Sequence, residues 1–332
     1  MAFDWIDGHL DLAYIAMSVG DIRTDASDRS RRCVSLPALV RGNVRVVAAT
    51  IFVERGSEAA STPWGYRDEN DWQGANRAAE LQMAYYEQLE SEGLVRIVRT
   101  RSDLHDQSDR ARPKLIILME GADPIRDASD AARWHARGVR MVGLTWALGS
   151  RFAGGNQSGG ALTSAGRELV AALDALHIVH DASHLSDVAF DDLLSATSRP
   201  IVASHSNARA LMAHNERHIT DDKVREIARR GGVVGLNLYG RFLANDRPAL
   251  LEDAINHVQH ITDVAQSHNV CVLGSDLDGG FLPELAPAQV RGCDCSHALT
   301  DALAGRGWNN QACENFAGKN WMRVFDRALA GS

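Results

Sequence analysis

Apolar runs of strand length alternate with helix-like segments from one end of this chain to the other, and no composition break marks a linker. Val44 to Val53 (VRVVAATIFV) and Leu115 to Met119 (LIILM) are nearly continuous apolar runs, the pattern of strands buried on both faces of a parallel sheet. Between such runs lie helical segments at Trp72 to Glu92, with Gly93 as C-cap, at Ala128 to Gly138, Ser164 to Leu176, Asp187 to Ser195, Thr220 to Arg230 and Ala249 to His268. Strand and helix in strict alternation imply a parallel α/β fold. Eight strands are expected, ending near Asp11, Phe52, Glu120, Thr145, His184, His205, Leu238 and Asp276. Ligand-type polar residues recur at these ends, where a (β/α)8 barrel builds its site. The rival, an open doubly wound sheet, usually carries a Gly-rich phosphate turn after its first strand, and Asp11 is followed by none.

A barrel of this kind reaches 332 residues as one unit, so a single domain over 1–332 is expected. The formal charge of -8 offers no electrostatic footprint for nucleic acid or an anionic membrane. Met1 to Asp11 has no basic stretch followed by an apolar one, and no run reaches the length of a membrane span, which points to a cytoplasmic protein. Five cysteines, Cys33, Cys271, Cys293, Cys295 and Cys313, are an odd set without a regular framework, as expected of reduced thiols. Cys293-Asp294-Cys295 has no second pair at zinc-finger spacing and reads as loop thiols. Asp21 to Arg32, rich in Asp, Arg and Ser, is a long loop of the kind that covers a site. Glu54 to Asp71 and the Gly-rich Ala147 to Gly160 also read as loops.

Chemistry concentrates first in Asp7-Gly8-His9-Leu10-Asp11, where a strand would send His9 and Asp11 to one face. Grouped with the other strand ends, the candidates become His9, Asp11, Glu120, His184, His205 and Asp276. These are nitrogen and oxygen donors of the kind zinc takes, too many for one tetrahedral ion. A pair of ions bridged by a carboxylate uses them economically, and Glu120 is the natural bridge because it offers two oxygens. In such a site a bridging water attacks a polarised carbonyl, and a nearby carboxylate, for which Asp276 is suited, passes the proton to the leaving group.

DGHLD at the start, Glu120-Gly121 after an apolar strand, DASH at 181 to 184, PIVASHS at 200 to 206 and GSDLDGG at 274 to 280 occur in one order over nearly the whole chain. In this the chain resembles the renal (membrane) dipeptidase family, peptidase family M19 of the amidohydrolase superfamily. Asn315 to Phe325 also resembles that family's C-terminal end. The resemblance implies a TIM barrel of the metal-dependent amidohydrolase type. It implies a two-zinc hydrolase of L,L and L,D dipeptides, frequently a homodimer. By motif, His9 and Asp11 would hold one zinc and His184 and His205 the other, with Glu120 bridging and Asp276 as proton shuttle. Arg217, in ERHITD, sits where the family's arginine binds the substrate carboxylate, a task that suits a guanidinium's paired donors. One position departs: VGLTW places Trp146 where the family reads a histidine that contacts the scissile carbonyl. Indole only donates and cannot become a cation. Either the metals alone serve the oxyanion, or Arg151, Asn156 or another group substitutes, or the substrate differs. Trp146 itself either packs under its loop or stacks on substrate.

The sequence reading is thus a zinc-dependent dipeptidase acting on a small dipeptide. Its rivals are the same metal chemistry on another small amide or ester such as an N-acyl amino acid, a catalytically silent binding protein, and a scaffold. Among the remaining histidines, His180 is expected in strand packing, His214 and His218 in a solvated loop, and His257 and His260 on a solvated helix face. Asp278 is expected to orient the loop backbone after Asp276.

Overall fold

The computed structural model describes residues 3–213 and 215–330. Its centre is a ring of parallel strands: β1 Trp5–Leu10, β2 Val44–Phe52, β3 Lys114–Glu120, β4 Val139–Gly143, β5 Val179–Asp181, β6 Ile201–Val202, β7 Val234–Leu236 and β8 Cys271–Leu273. They pair in the order β6-β5-β4-β3-β2-β1-β8-β7, and a parallel bridge from Ala203 to Val234 closes β6 onto β7. Helices α1 Leu36–Arg41, α2 Trp72–Ser91, α3 Ala131–Arg137, α4 Ser164–Ala175, α5 Asp187–Ala196, α6 Asp221–Arg229, α7 Leu251–Ala265 and α8 Asn320–Ala328 surround it. This is the (β/α)8 barrel that the alternation predicts. Several helices start where the sequence offers a cap: the side chains of Thr163, Ser186 and Thr220 accept from Gly166, Ala189 and Lys223 backbone N–H groups.

Period-two alternation sorts each strand between two apolar layers. From β2 and β3, Val46, Ala48, Ile116 and Leu118 fill the barrel interior, while Val47, Ala49, Ile117 and Met119 face the helices. One end of the barrel is closed by α8, whose Trp321 joins the interior layer and donates from Nε1 to the Leu273 carbonyl at 2.9 Å. Gly8 makes room for it: a Cβ there would stand 2.1 Å from the Trp321 ring. The opposite end of the barrel, where the strands finish, is left to polar groups.

Strand β1 breaks the alternation at the point that matters. Asp7 pairs with Val47 and Leu10 with Ala49, so two residues, Gly8 and His9, stand opposite one. This is a β-bulge. Trp5 and Leu10 face the helices and Ile6 faces the interior, so the bulge resets the phase and turns His9 inward. Several strands also stop earlier than the sequence suggests. β4, β5, β6, β7 and β8 end at Gly143, Asp181, Val202, Leu236 and Leu273, leaving Thr145, His184, His205, Leu238 and Asp276 on the loops beyond. His184 and Asp276 have φ of 67° and 60°, which no strand accommodates. Two expected loops contain short pairings: Glu54–Arg55 with Gly65–Tyr66, and Ala153–Gly155 with Gly159–Leu162.

Candidate metal centre

The strand ends empty into a cavity of about 670 Å³ lined by, among others, Asp11, Glu120, Trp146, His184, His205, Arg217 and Asp276. At its floor three imidazoles turn their Nε2 atoms toward Glu120. His184 and His205 stand 3.0 and 3.3 Å from Oε1, and His9 stands 3.5 Å from Oε2. His184 and His205 Nε2 are 3.1 Å apart. His9 Nε2 also lies 3.7 Å from Asp11 and 4.0 Å from Asp276, so it faces two donor groups, His9-Glu120-His205 and His9-Asp11-Asp276. All six residues picked out by the sequence therefore meet at one point.

Other groups aim these donors. Asp181 Oδ2 accepts the Ser204 hydroxyl at 2.5 Å, and Ser204 Oγ lies 2.7 Å from His205 Nδ1, which fixes the ring with Nε2 to the centre. Asp7 repeats the device: its oxygens accept Ser275 Oγ at 2.5 Å and Ser275 N at 2.8 Å, tying β1 to the loop that carries Asp276. Asn237 donates from Nδ2 to Asp276 Oδ2 at 2.8 Å, leaving Oδ1 toward His9. Thr50 donates to Asp11, and Asn156 Oδ1 stands 3.3 Å from His184 Nδ1. Sequence reasoning passed over Asp7, Asp181, Ser204, Ser275 and Asn237. The signal for the two aspartates was available, since each opens a motif, DGHLD and DASH, chosen for its histidine.

The electrostatics call for added positive charge. Burial opposes ionisation of His9, yet Glu120, Asp11 and Asp276 overcome it and raise its pKa to about 10. Burial, with its carboxylate neighbours, pushes Asp11 up to about 6 and Asp276 up to about 7. His184 falls to about 4 through burial and the nearby Arg217 charge, so its imidazole is neutral. His9 Nε2, 1% exposed at the residue level, has no hydrogen-bond partner among the described residues. Crowded carboxylates, neutral imidazoles and an orphaned buried nitrogen fit a divalent metal held through nitrogen and oxygen donors.

Arg217 is 7% exposed. It donates from Nη1 to Ser206 Oγ and from Nη2 to the His205 carbonyl, each at 2.9 Å, and its Nε has no partner among the described residues. Trp146 is half-buried on the cavity wall, edge-on to Phe52 with ring centroids 5.3 Å apart and 6.0 Å from His184. Of the possible substitutes for the missing histidine, Asn156 lines the cavity, whereas Arg151 turns away to the Asp123 and Ile125 carbonyls.

Two expectations of solvated histidines fail. His218 is 1% exposed, edge-on to Phe242, and His257 is fully buried, accepting from Ala208 N at 3.2 Å. His218, beside Arg217 on its loop, packs onto His257 of α7 with ring centroids 6.1 Å apart. His260 pairs with Asp221 at 2.8 Å, His180 faces outward to Asp174 at 2.6 Å, and His214 lies outside the described residues. Asp278 accepts from Cys33 N and Val34 N at 2.8 and 2.7 Å, so it anchors the end of the Asp21 to Arg32 loop rather than its own. Cys293 and Cys295 are free thiols.

A family model described as Membrane dipeptidase (Peptidase family M19) matches residues 1–330. The chain belongs to this family. A Klebsiella pneumoniae protein known as the uncharacterized protein in the pqqA 5' region is 30% identical over 258 residues, 73% of this chain and 93% of its own. Dipeptidase tcpJ of Claviceps purpurea is 27% identical over 342 residues, 97% of this chain and 74% of its own. Among solved structures, a metallo peptidase from Rhodobacter sphaeroides, liganded with a phosphinate mimic of the dipeptide L-Ala-D-Ala, superposes with a TM-score of 0.85. The two are 24% identical, over 99% of this chain and 100% of that one. Dipeptidase AC superposes with a TM-score of 0.86 at 24% identity, covering both chains fully. The membership makes the chain an M19 metallo-dipeptidase, with a small peptide as its class of substrate and a metal as cofactor. No helix among the described residues is long and apolar enough to cross a membrane.

Proposed function

We propose that this M19 dipeptidase uses two zinc ions to hydrolyse dipeptides with a free C-terminal carboxylate, in L,L and also L,D configuration. The observation that carries the reading is the convergence of three Nε2 atoms and three carboxylates beside a buried arginine with donors to spare. His9 and Asp11 would hold one ion, His184 and His205 the other, and Glu120 would give one oxygen to each. Ions held there would polarise a carbonyl oxygen and acidify a water. Every other task falls to the chain. Arg217 receives the substrate carboxylate and so sets the scissile amide over the centre. Asp276, with Oδ1 turned to the centre, takes a proton from the attacking water and returns it to the leaving amine. Asn237 holds its other oxygen throughout.

A second reading, cleavage of an N-acyl amino acid by the same groups, is favoured by Trp146, which widens the apolar wall where the family has a histidine. Zinc-loaded protein is to be assayed for amino-acid release from L,L and L,D dipeptides with N-acyl amino acids alongside. Dipeptide turnover that disappears with chelator supports the first reading. Turnover of acylated amino acids alone moves the substrate to the second.

A further inference from the structure

Strand order fixes what stands opposite what across the cavity. Arg217 lies on the loop after β6, and in the ring β2 is diametrically across from β6, with the metal-ligand cluster between. A dipeptide whose carboxylate meets Arg217 therefore directs its amino-terminal residue toward the end of β2. That end carries Phe52 and, in the same phase of the alternation, Glu54, both lining the cavity. Tyr14 and Trp146 flank Phe52 edge-on, with centroids 5.6 and 5.3 Å away, and Trp64 continues the wall 5.2 Å beyond Tyr14.

Glu54 is half-buried at the rim of this aromatic wall. Among the described residues its carboxylate accepts a single hydrogen bond, from Trp64 Nε1 at 3.3 Å, and no cation pairs with it. The neighbouring Arg55 is engaged elsewhere, with Glu69 at 3.5 Å and the Leu148 carbonyl. Glu216, the other rim carboxylate, is exposed on the Arg217 side. Phe52 is the register partner of Glu120. Two extended residues further on, Glu54 stands about 6 to 7 Å above the level of Glu120. With the scissile amide set over Glu120, the α-ammonium, only two bonds from the scissile carbon, would stay at the lower level. A long side chain leaving the same carbon climbs the wall and brings its tip to Glu54.

Resting on the dipeptidase reading, we infer that Phe52, Tyr14, Trp146 and Glu54 form a subsite for a basic amino-terminal residue, lysine or arginine. The rings cover its aliphatic stem and attract its charge, and Glu54 pairs with its tip. Trp146 thereby acquires a task as part of the wall.

The test compares L-lysyl-L-alanine with L-norleucyl-L-alanine, which has the same stem without the charge, on zinc-loaded protein. The lysine dipeptide is expected to have a kcat/KM about tenfold higher. That ratio should collapse toward one in Glu54→Gln, persist in Glu54→Asp, and turn to favour L-glutamyl-L-alanine in Glu54→Lys. Calorimetric binding of phosphinate mimics of the lysine and norleucine dipeptides should show the same preference independently of turnover. Hydrolysis of the norleucine dipeptide with no advantage for lysine overturns this inference alone. Release from no dipeptide overturns the dipeptidase reading, and this inference with it.

Discussion

Arg217 offers a prediction whose size follows from its donors. A guanidinium has five N–H groups, and here one on Nη1 and one on Nη2 are committed to Ser206 and the His205 carbonyl. The second N–H on each of Nη1 and Nη2 is uncommitted and Arg217 lines the cavity, so a carboxylate can be taken bidentately without breaking either bond. Charge-assisted hydrogen bonds contribute about 1.5 to 3 kcal/mol each, so two amount to about 3 to 6 kcal/mol. That corresponds to about 10² to 10⁴ in kcat/KM. Arg217→Met should lose this factor on a dipeptide. The same factor should separate a dipeptide from its C-terminal amide in the wild type, and the variant should treat the two alike. Steady-state kinetics on the four combinations give the coupling directly. A wild-type enzyme that cleaves the amide as fast as the free acid would refute the assignment without recourse to any variant.

Three further outcomes follow from the same geometry. Asp276→Asn should keep its contact with Asn237 and its metal content by elemental analysis, yet lose turnover by about 10² to 10⁴; turnover that survives removes Asp276 as proton carrier. Asp181→Asn weakens the support of His205 through Ser204 and should lower metal affinity by about 10 to 100-fold in a chelator competition, with little change in secondary structure by circular dichroism. His257, depressed from 6.5 to about 4 chiefly by burial, contributes stability that is present above pH 6.5 and lost as pH falls toward 4. The loss is about 3 kcal/mol and should appear in urea titrations of the metal-free protein, where His257→Asn flattens the slope.

What the sequence determines by itself is the periodic part of this protein. Continuous apolar runs such as LIILM can only be buried on both faces, and their alternation with capped helices leaves a closed parallel barrel as the economical solution. Donor residues at the ends of those runs then collect at one mouth, which is why His9, Asp11, Glu120, His184, His205 and Asp276 were readable before any coordinates. Tertiary structure decided the rest, because it depends on partners distant along the chain. The bulge that turns His9 inward exists only as a mismatch between β1 and β2. Asp181 needs Ser204, and Asp7 needs Ser275 at the other end of the chain, before either has a role. His218 and His257 look solvated on a linear pattern and are buried because the Arg217 loop folds back over α7. Glu54, unremarkable in a loop, becomes a rim charge opposite Arg217 only once the ring of strands sets β2 across from β6. Local periodicity encodes which face of an element is buried, and long-range closure alone encodes which side chains then confront one another.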